Sequence, residues 1–290
     1  MVPHVTGLRC RQIDETDVDA VASLLARGFP AHNGDFWLGA FAQLARHQPP
    51  PSLPKYGYLL ESNGTVVGAI LLICAIVRSA EATAMRCNLS SWYVEPAFRA
   101  YAPMLVSQAV RHKDVTYLNV SSAPHTRPII EAQGFLRYCD GIFIAVPMLN
   151  GLFGGSEGAV FDARERPAVA FDPFDREMLL QHIAHGCISL WCATSERAYP
   201  FVFRPRVVKR GIPCAQLIYC RDVVDFVRFA GPIGRALAWH GRPFVVVDAN
   251  ARIPGLVGWF SRGHMPKYFK GPQRPRLGDL AYTEHALLGV

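Results

Sequence analysis

Apolar and polar positions change their spacing several times along the chain, and each change marks an element. Leu8 to Ile13 alternates, a period of two that predicts a strand. Asp14-Glu15-Thr16-Asp17 then offers a cap and first-turn acids. Val18, Val21, Leu24 and Leu25 follow at helical spacing as far as Ala26, and Gly28 with Pro30 ends that helix. A second helix spans Phe36 to His47 and is closed by Pro49-Pro50-Pro51, because proline lacks the N–H a helix needs. Tyr56–Glu61 and Val66–Val77 flank Ser62-Asn63-Gly64-Thr65, a tight hairpin signal.

The pattern is most informative from residue 88 to 135. Leu89–Val94 reads as a strand, Glu95-Pro96 as a turn, Phe98–Tyr101 as a short basic loop, and Ala102–His112 as an amphipathic helix. A buried strand, Val115–Val120, and a second helix ended by Gly134 come next. A strand that feeds a helix through a basic, small-residue turn presents backbone N–H groups and the positive end of the helix dipole. That arrangement suits an anion, phosphate best of all.

In this stretch the chain resembles the acyl-CoA-dependent N-acyltransferases of the GNAT (GCN5-related N-acetyltransferase) superfamily. The superfamily carries a strand ending in V-x-P, then [QR]-x-x-G-x-[GA], a helix, a strand, and a helix ending in G-F. Val94-Glu95-Pro96, Arg99-Ala100-Tyr101-Ala102-Pro103-Met104 and Gly134-Phe135 stand in those places. The strand, helix, helix, strand, strand order before them agrees, so the resemblance covers roughly residues 8 to 148. It implies an α/β (α+β) fold with a mixed central sheet flanked by helices. It also implies acetyl-CoA or another acyl-CoA as co-substrate. Backbone N–H groups at Trp92, Tyr93 and Val94 would polarise the thioester carbonyl. Arg99, Ala100, Tyr101, Ala102 and Met104 would surround the pyrophosphate, and Asn119 would face cofactor or backbone. His125 and Glu131 are the candidates for proton chemistry.

Three departures bear on that expectation. Ala102 and Met104 occupy positions that are glycine in most members, and the Met104 side chain crowds a place where backbone should approach phosphate. Pro103 removes a donor, although proline in a helix's first turn is also an ordinary start signal. Ile130 stands where the superfamily often has a tyrosine general acid, and it cannot donate a proton.

The second half repeats the grammar of the first. After the glycine-rich segment Asn150–Gly158, a helix at Asp175–Ala184 precedes strand-like runs at Ile188–Cys192, Ala198–Phe203, Val207–Arg210 and Ala215–Cys220. A helix at Ala236–His240 and a buried strand at Pro243–Asp248 follow. Arg228–Gly234 reads either as a second basic, glycine-bearing loop or as a closely packed helix start. The expected organisation is an acyltransferase-like domain at 1–149, a linker and extended segment at 150–173, and a degenerate second copy at 174–290. His264–Pro272 reads as a solvated basic loop, or as one whose Lys267, Tyr268 and Lys270 hold an anionic substrate. Gly278–Glu284 reads as a final strand.

Composition narrows the partners. At 290 residues and half hydrophobic, the chain can bury a large core. No apolar run reaches membrane-spanning length, and the N-terminus has no apolar segment of signal-peptide type, which makes a cytoplasmic location the expectation. A net charge of +7 favours anionic partners such as the coenzyme A phosphates. Nucleic acid is disfavoured, because no groove-reading motif accompanies the charge. The eight cysteines form no C-x-x-C pair and read as buried, reduced thiols, with no standard zinc spacing. The acceptor would be a small-molecule amine or amino sugar entering near Gly28–Asp35 and Gln48–Pro54, past Phe36, Trp37 and Tyr56. A homodimer is compatible with the resemblance. Three readings remain open: an N-acyltransferase, a fold that binds CoA or a metabolite without turnover, and a scaffold.

Overall fold

The hairpin signal at Asn63-Gly64 is realised as a two-residue turn. Asn63 and Gly64 both take positive φ, 49° and 80°, and Ser62 pairs with Thr65. The computed structural model describes residues 7–78, 83–152, 158–208 and 211–289, organised as two compact units.

The first unit is drawn from 1–77, 83–119 and 270–273. It begins with β1 (Leu8–Gln12), α1 (Val18–Gly28) and α2 (Gly34–Arg46). These are followed by β2 (Gly57–Ser62), β3 (Thr65–Arg78), β4 (Thr83–Val94), α3 (Ala102–Ala109) and β5 (Val115–Asn119). Asp14 and Asp17 form a reciprocal capping box ahead of α1, and Asn33 caps α2 through the Phe36 N–H. The sheet order is β1-β2-β3-β4-β5, with β1/β2 and β2/β3 antiparallel and β4/β5 parallel. Val21, Leu24 and Leu25 of α1 and Trp37, Phe41 and Leu44 of α2 are buried, so the spacing seen in the sequence is the core face. The short strip 270–273 returns to this unit from the C-terminal half, and Gln273 N donates to Thr116 Oγ1 at 3.2 Å.

The second unit takes 120–269 and 274 onward. Its elements are α4 (Arg127–Ala132), β6 (Leu136–Ala145), β7 (Ala159–Asp162), α5 (Pro173–Ala184), β8 (Ile188–Ala193), β9 (Ala198–Val208) and β10 (Ile212–Cys220). They continue with α6 (Val223–Arg228), α7 (Ala230–Trp239), β11 (Phe244–Ala249), β12 (Gly258–Lys270) and α8 (Glu284–Leu287). The strand order is β12-β6-β11-β10-β9-β8-β7, and β10/β11 is its parallel pair. Phe143, Phe201, Phe203, Phe226 and Phe229 dominate a core between sheet and helices α6 and α7. The contacts therefore place residues 120–149, including β6, with this unit.

Several expectations are corrected. Cys74 and Cys87 form a disulfide instead of two thiols; residues on neighbouring strands β3 and β4 bring their Cα atoms to 4.0 Å. His264–Lys270 is strand and not solvated loop. Lys267 is wholly buried in β12, where its Nζ lies 2.6 Å from Asp248 of β11, and Tyr268 is buried beside it. A buried ammonium needs a carboxylate more than it needs water, and Asp248 supplies one. Gly278–Glu284 is a turn leading into α8, tied to β10 only by the isolated bridge of Asp279 to Tyr219. Gly231 and Gly234 lie inside α7. A Cβ on Gly234 would collide with the Met148 N–H, so close helix packing and not a phosphate loop explains that glycine. Asn150, at the start of the glycine-rich segment, is anchored to Gly255 O and to the Val257 N–H, while 153–157 lie outside the described residues.

Two stability predictions follow from buried charge. Lys267→Met should cost about 3–5 kcal/mol by stranding Asp248, and adding Asp248→Leu should restore most of it; equilibrium denaturation of the three variants checks this. His47 sits at the end of α2 with Nε2 2.8 Å from Cys74 O, and burial holds its imidazole below the ordinary value of 6.5. As pH falls below about 6.5 the unfolded chain takes up that proton first, so the stabilisation present above this pH is lost toward the lower folded value. The melting temperature should fall between pH 6.5 and 5, and fall less in His47→Gln.

Candidate functional site

In the first unit the geometry of interest is the place where β4 and β5 part. The parallel register runs Met85↔Val115, Arg86↔Thr116, Cys87↔Tyr117 and Asn88↔Leu118, and stops. β4 continues alone on that side through Leu89–Val94, past Ser91 at φ 50°, a value few residues with a Cβ adopt. Backbone N–H and C=O groups along this edge have no β5 ladder to join, and such groups demand a partner. Trp92 and Tyr93 are half-buried here, and Val94 is buried.

The chain leaves β4 through Glu95, whose N–H donates to Val67 O at 2.9 Å. Phe98–Tyr101, expected as a loop, belongs instead to a 3-10 helix, Pro96–Tyr101, that runs directly into α3. Neither helix has a side-chain cap. Arg99 and Ala100 are exposed, Tyr101 and Ala102 half-buried, and Met104 lies 39% exposed on the surface of α3. Arg99 forms no ion pair among the described residues, so its guanidinium is uncommitted, unlike Arg27, which pairs with Glu95 at 2.7 Å. Asn119 is the half-buried last residue of β5.

An aromatic cluster borders the outer end of β4. Phe29, between α1 and α2, stands 5.5 Å from Trp37 and 6.3 Å from Tyr93 by ring centroids. His32 stacks on Phe36 at 4.0 Å, and Phe36 meets Trp37 edge-on at 5.1 Å. Gly28 makes this possible, because a Cβ there would enter the Tyr93 ring. Trp37 and Tyr56 prove to be buried, the latter donating to Glu15 Oε2 at 2.7 Å, while Phe36 remains half-buried.

The proton candidates lie in the second unit. His125 is exposed in a 3-10 turn, Pro124–Thr126, just before α4. Glu131 is exposed and paired with Arg137 at 3.1 Å. Ile130 is buried, so no donor replaces the superfamily's tyrosine at that position. Sequence inspection passed over two buried polar positions. Glu284 accepts from Ser121 Oγ at 2.6 Å within the second unit. Asn88, in the first unit, is buried at the last paired position of β4. The available signal was a carboxamide inside the otherwise apolar run around Cys87 and Leu89.

The second unit has the same parting of strands. β10 and β11 pair only at Cys214↔Phe244, Ala215↔Val245 and Gln216↔Val246. Beyond that point, however, the chain's own side chains take the places an anion would use. Asp222 caps α6 by accepting from the Val224 N–H, and Arg221 is held by Asp172 and Asp175 at 2.8 and 2.6 Å. Arg206 donates to Gln216 Oε1. The basic run from Arg204 is likewise internal where described, since Arg204 donates to His185 O and Ala286 O; 209 and 210 lie outside the described residues. Among the described residues no group of His, Cys, Asp and Glu could hold a metal, and no helix is long and apolar enough to cross a membrane.

Gly28→Ala should displace the Tyr93 ring and destabilise the protein by about 1–3 kcal/mol. Pairing it with Tyr93→Ala should recover part of that loss in a double-mutant thermal analysis, since the two positions are in contact.

No protein-family pattern matches the sequence, and no curated protein does. Solved structures match in fold. A candidate acetyltransferase from Pyrococcus horikoshii superposes with a TM-score of 0.56 at 14% identity, over 96% of this chain and 94% of that one. A GCN5-related N-acetyltransferase from Anabaena variabilis gives 0.57 at 10% identity, over 90% and 72%. Another from Kribbella flavida gives 0.55 at 15%, over 90% and 70%. With the mixed sheet and parted parallel strands already described, these superpositions establish that the chain has the fold of the GCN5-related N-acetyltransferases.

Proposed function

We propose that the protein is an acyl-CoA-dependent N-acyltransferase, moving an acetyl or longer acyl group to the amine of a small molecule, and that the first unit does this. The carrying observation is the early end of the β4/β5 ladder, beyond which Leu89–Val94 runs toward Arg99 without β5 beside it in register. An extended, amide-bearing arm such as that of coenzyme A can join such an edge by backbone hydrogen bonds. Trp92, Tyr93 and Val94 would contact the arm. Arg99, Ala100, Tyr101 and Ala102 would meet the pyrophosphate, with Met104 at the rim and Asn119 on the opposite strand. The net charge of +7 suits the same polyanion.

The aromatic cluster of Phe29, His32, Phe36, Trp37 and Tyr93 supports an acceptor whose amine is carried on an apolar or aromatic body. The carboxylates of Glu15 and Glu95 are already paired with Lys55 and Arg27, leaving less for a polycationic amino sugar. Of the two proton candidates Glu131 is tied to Arg137, while His125 is in no ion pair among the described residues. The repeated strand order, with one parallel pair in each half, supports two tandem copies of which the second is structural.

A second reading, CoA binding without turnover, draws on Ile130 in place of a proton donor. Release of free thiol from acetyl-CoA and longer acyl-CoAs, across a panel of aryl-alkyl amines and amino sugars, separates the two. Turnover is expected with the former amines. Calorimetric binding of CoA with no thiol release from any pair would favour the second reading. Arg99→Ala should weaken CoA binding about tenfold, the loss of one charge-assisted phosphate contact.

A further inference from the structure

Asn88 is the last residue of β4 that pairs with β5, opposite Leu118, and its side chain is 1% exposed. Neither its Nδ2 nor its Oδ1 has a hydrogen-bond partner among the described residues. Its neighbours in the strand cannot help: Cys87 is in the disulfide, and Leu89 is apolar and buried. A buried carboxamide left this way carries a desolvation cost that a leucine of similar size would not. The second unit shows the same position with the cost met in part from within. Gln216 is the last residue of β10 paired in parallel with β11 and is equally buried, but its Oε1 accepts from Arg206 and only its Nε2 lacks a partner among the described residues.

We propose that Asn88 is a catalytic residue at the vertex of the parted strands, its Nδ2 donating to the thioester carbonyl oxygen and its Oδ1 accepting an N–H of the incoming amine. This rests on the acyltransferase reading above. A ligand lying along the edge of Leu89–Val94 has its inner end at this vertex. A carboxamide takes no proton, so its part is to orient both reactants and to favour the charge that develops on the carbonyl oxygen. The amine nitrogen attacks the carbonyl carbon, and the C–N bond forms as the C–S bond breaks. The electron pair leaves on the coenzyme A sulfur, and the proton shed by the amine passes through solvent to that thiolate.

The test pairs kinetics with stability in the full chain, using acetyl-CoA and the best amine of the panel. Asn88→Leu should lower kcat about a hundredfold with little change in CoA affinity. The same variant should raise the melting temperature of the free protein by about 2–4 °C, because it removes an unpaired polar group. Asn88→Ala provides a second kinetic reading should leucine pack badly. Gln216→Leu should instead lower the melting temperature, by stranding Arg206, and leave kcat unchanged. An active wild type with Asn88→Leu and Asn88→Ala unimpaired overturns the Asn88 assignment alone. A melting temperature that falls in Asn88→Leu while kcat holds assigns the residue to structure and also overturns it. A wild type that binds no acyl-CoA and releases no thiol overturns the acyltransferase reading and this role with it.

Discussion

A parallel strand pair that is allowed to hold for a few residues and then forced apart is the constraint around which the first unit is built. Parallel ladders are evenly bonded and ordinarily end where both strands end. Here β4 is 12 residues long and β5 only 5, and Ser91 turns the longer strand through positive φ just past the last pair. The consequence is a strip of main chain with hydrogen-bonding capacity and no neighbour in register. The first-unit residues of the proposed site are disposed along that strip. Asn88 stands at its inner end, Trp92 and Tyr93 along it, and the 3-10 helix with Arg99 at its outer end. The aromatic cluster packs against Tyr93 from the α1–α2 side. None of these features would matter if β5 continued alongside β4.

The second unit is a control experiment carried in the same chain. It parts its own parallel strands at Gln216 and Val246, yet several of the polar groups there are paired with nearby side chains. Asp222 satisfies the helix start, two aspartates neutralise Arg221, and Arg206 occupies the carboxamide. The buried Lys267–Asp248 pair belongs to the same economy of internal partners: each charge is tolerable only because the other is present.

The acyl transfer proposed above sets its own demand for a proton donor. An acyl transfer to an amine makes modest demands there, since a thiolate is a good leaving group and needs little protonation to depart. In the proposed reaction orientation and carbonyl polarisation carry most of the rate, tasks that backbone amides and a carboxamide can perform without an acid. Such a transfer requires only that the amine arrive neutral.

Local grammar was legible in the sequence wherever one short-range rule dominated. The Asn63-Gly64 turn, the Asp14 cap, the apolar faces of α1 and α2, and the order of strands and helices through Gly134 all follow from residues within a few positions of one another. The superfamily resemblance rested on that order, and the fold agrees with it. Partners distant in sequence were not legible. Nothing near Lys267 announces that Asp248 will neutralise it, so a basic, aromatic stretch read as solvated loop became the buried strand β12. Nothing near Cys74 announces Cys87 until β3 and β4 lie side by side. Gly234 looked like half of a phosphate loop until Met148 was found against it. Asn88 is the sharpest case. Its residue type is plain in the chain, but whether a carboxamide is paired depends on which strands run beside it and where they stop, and only the assembled sheet decides that.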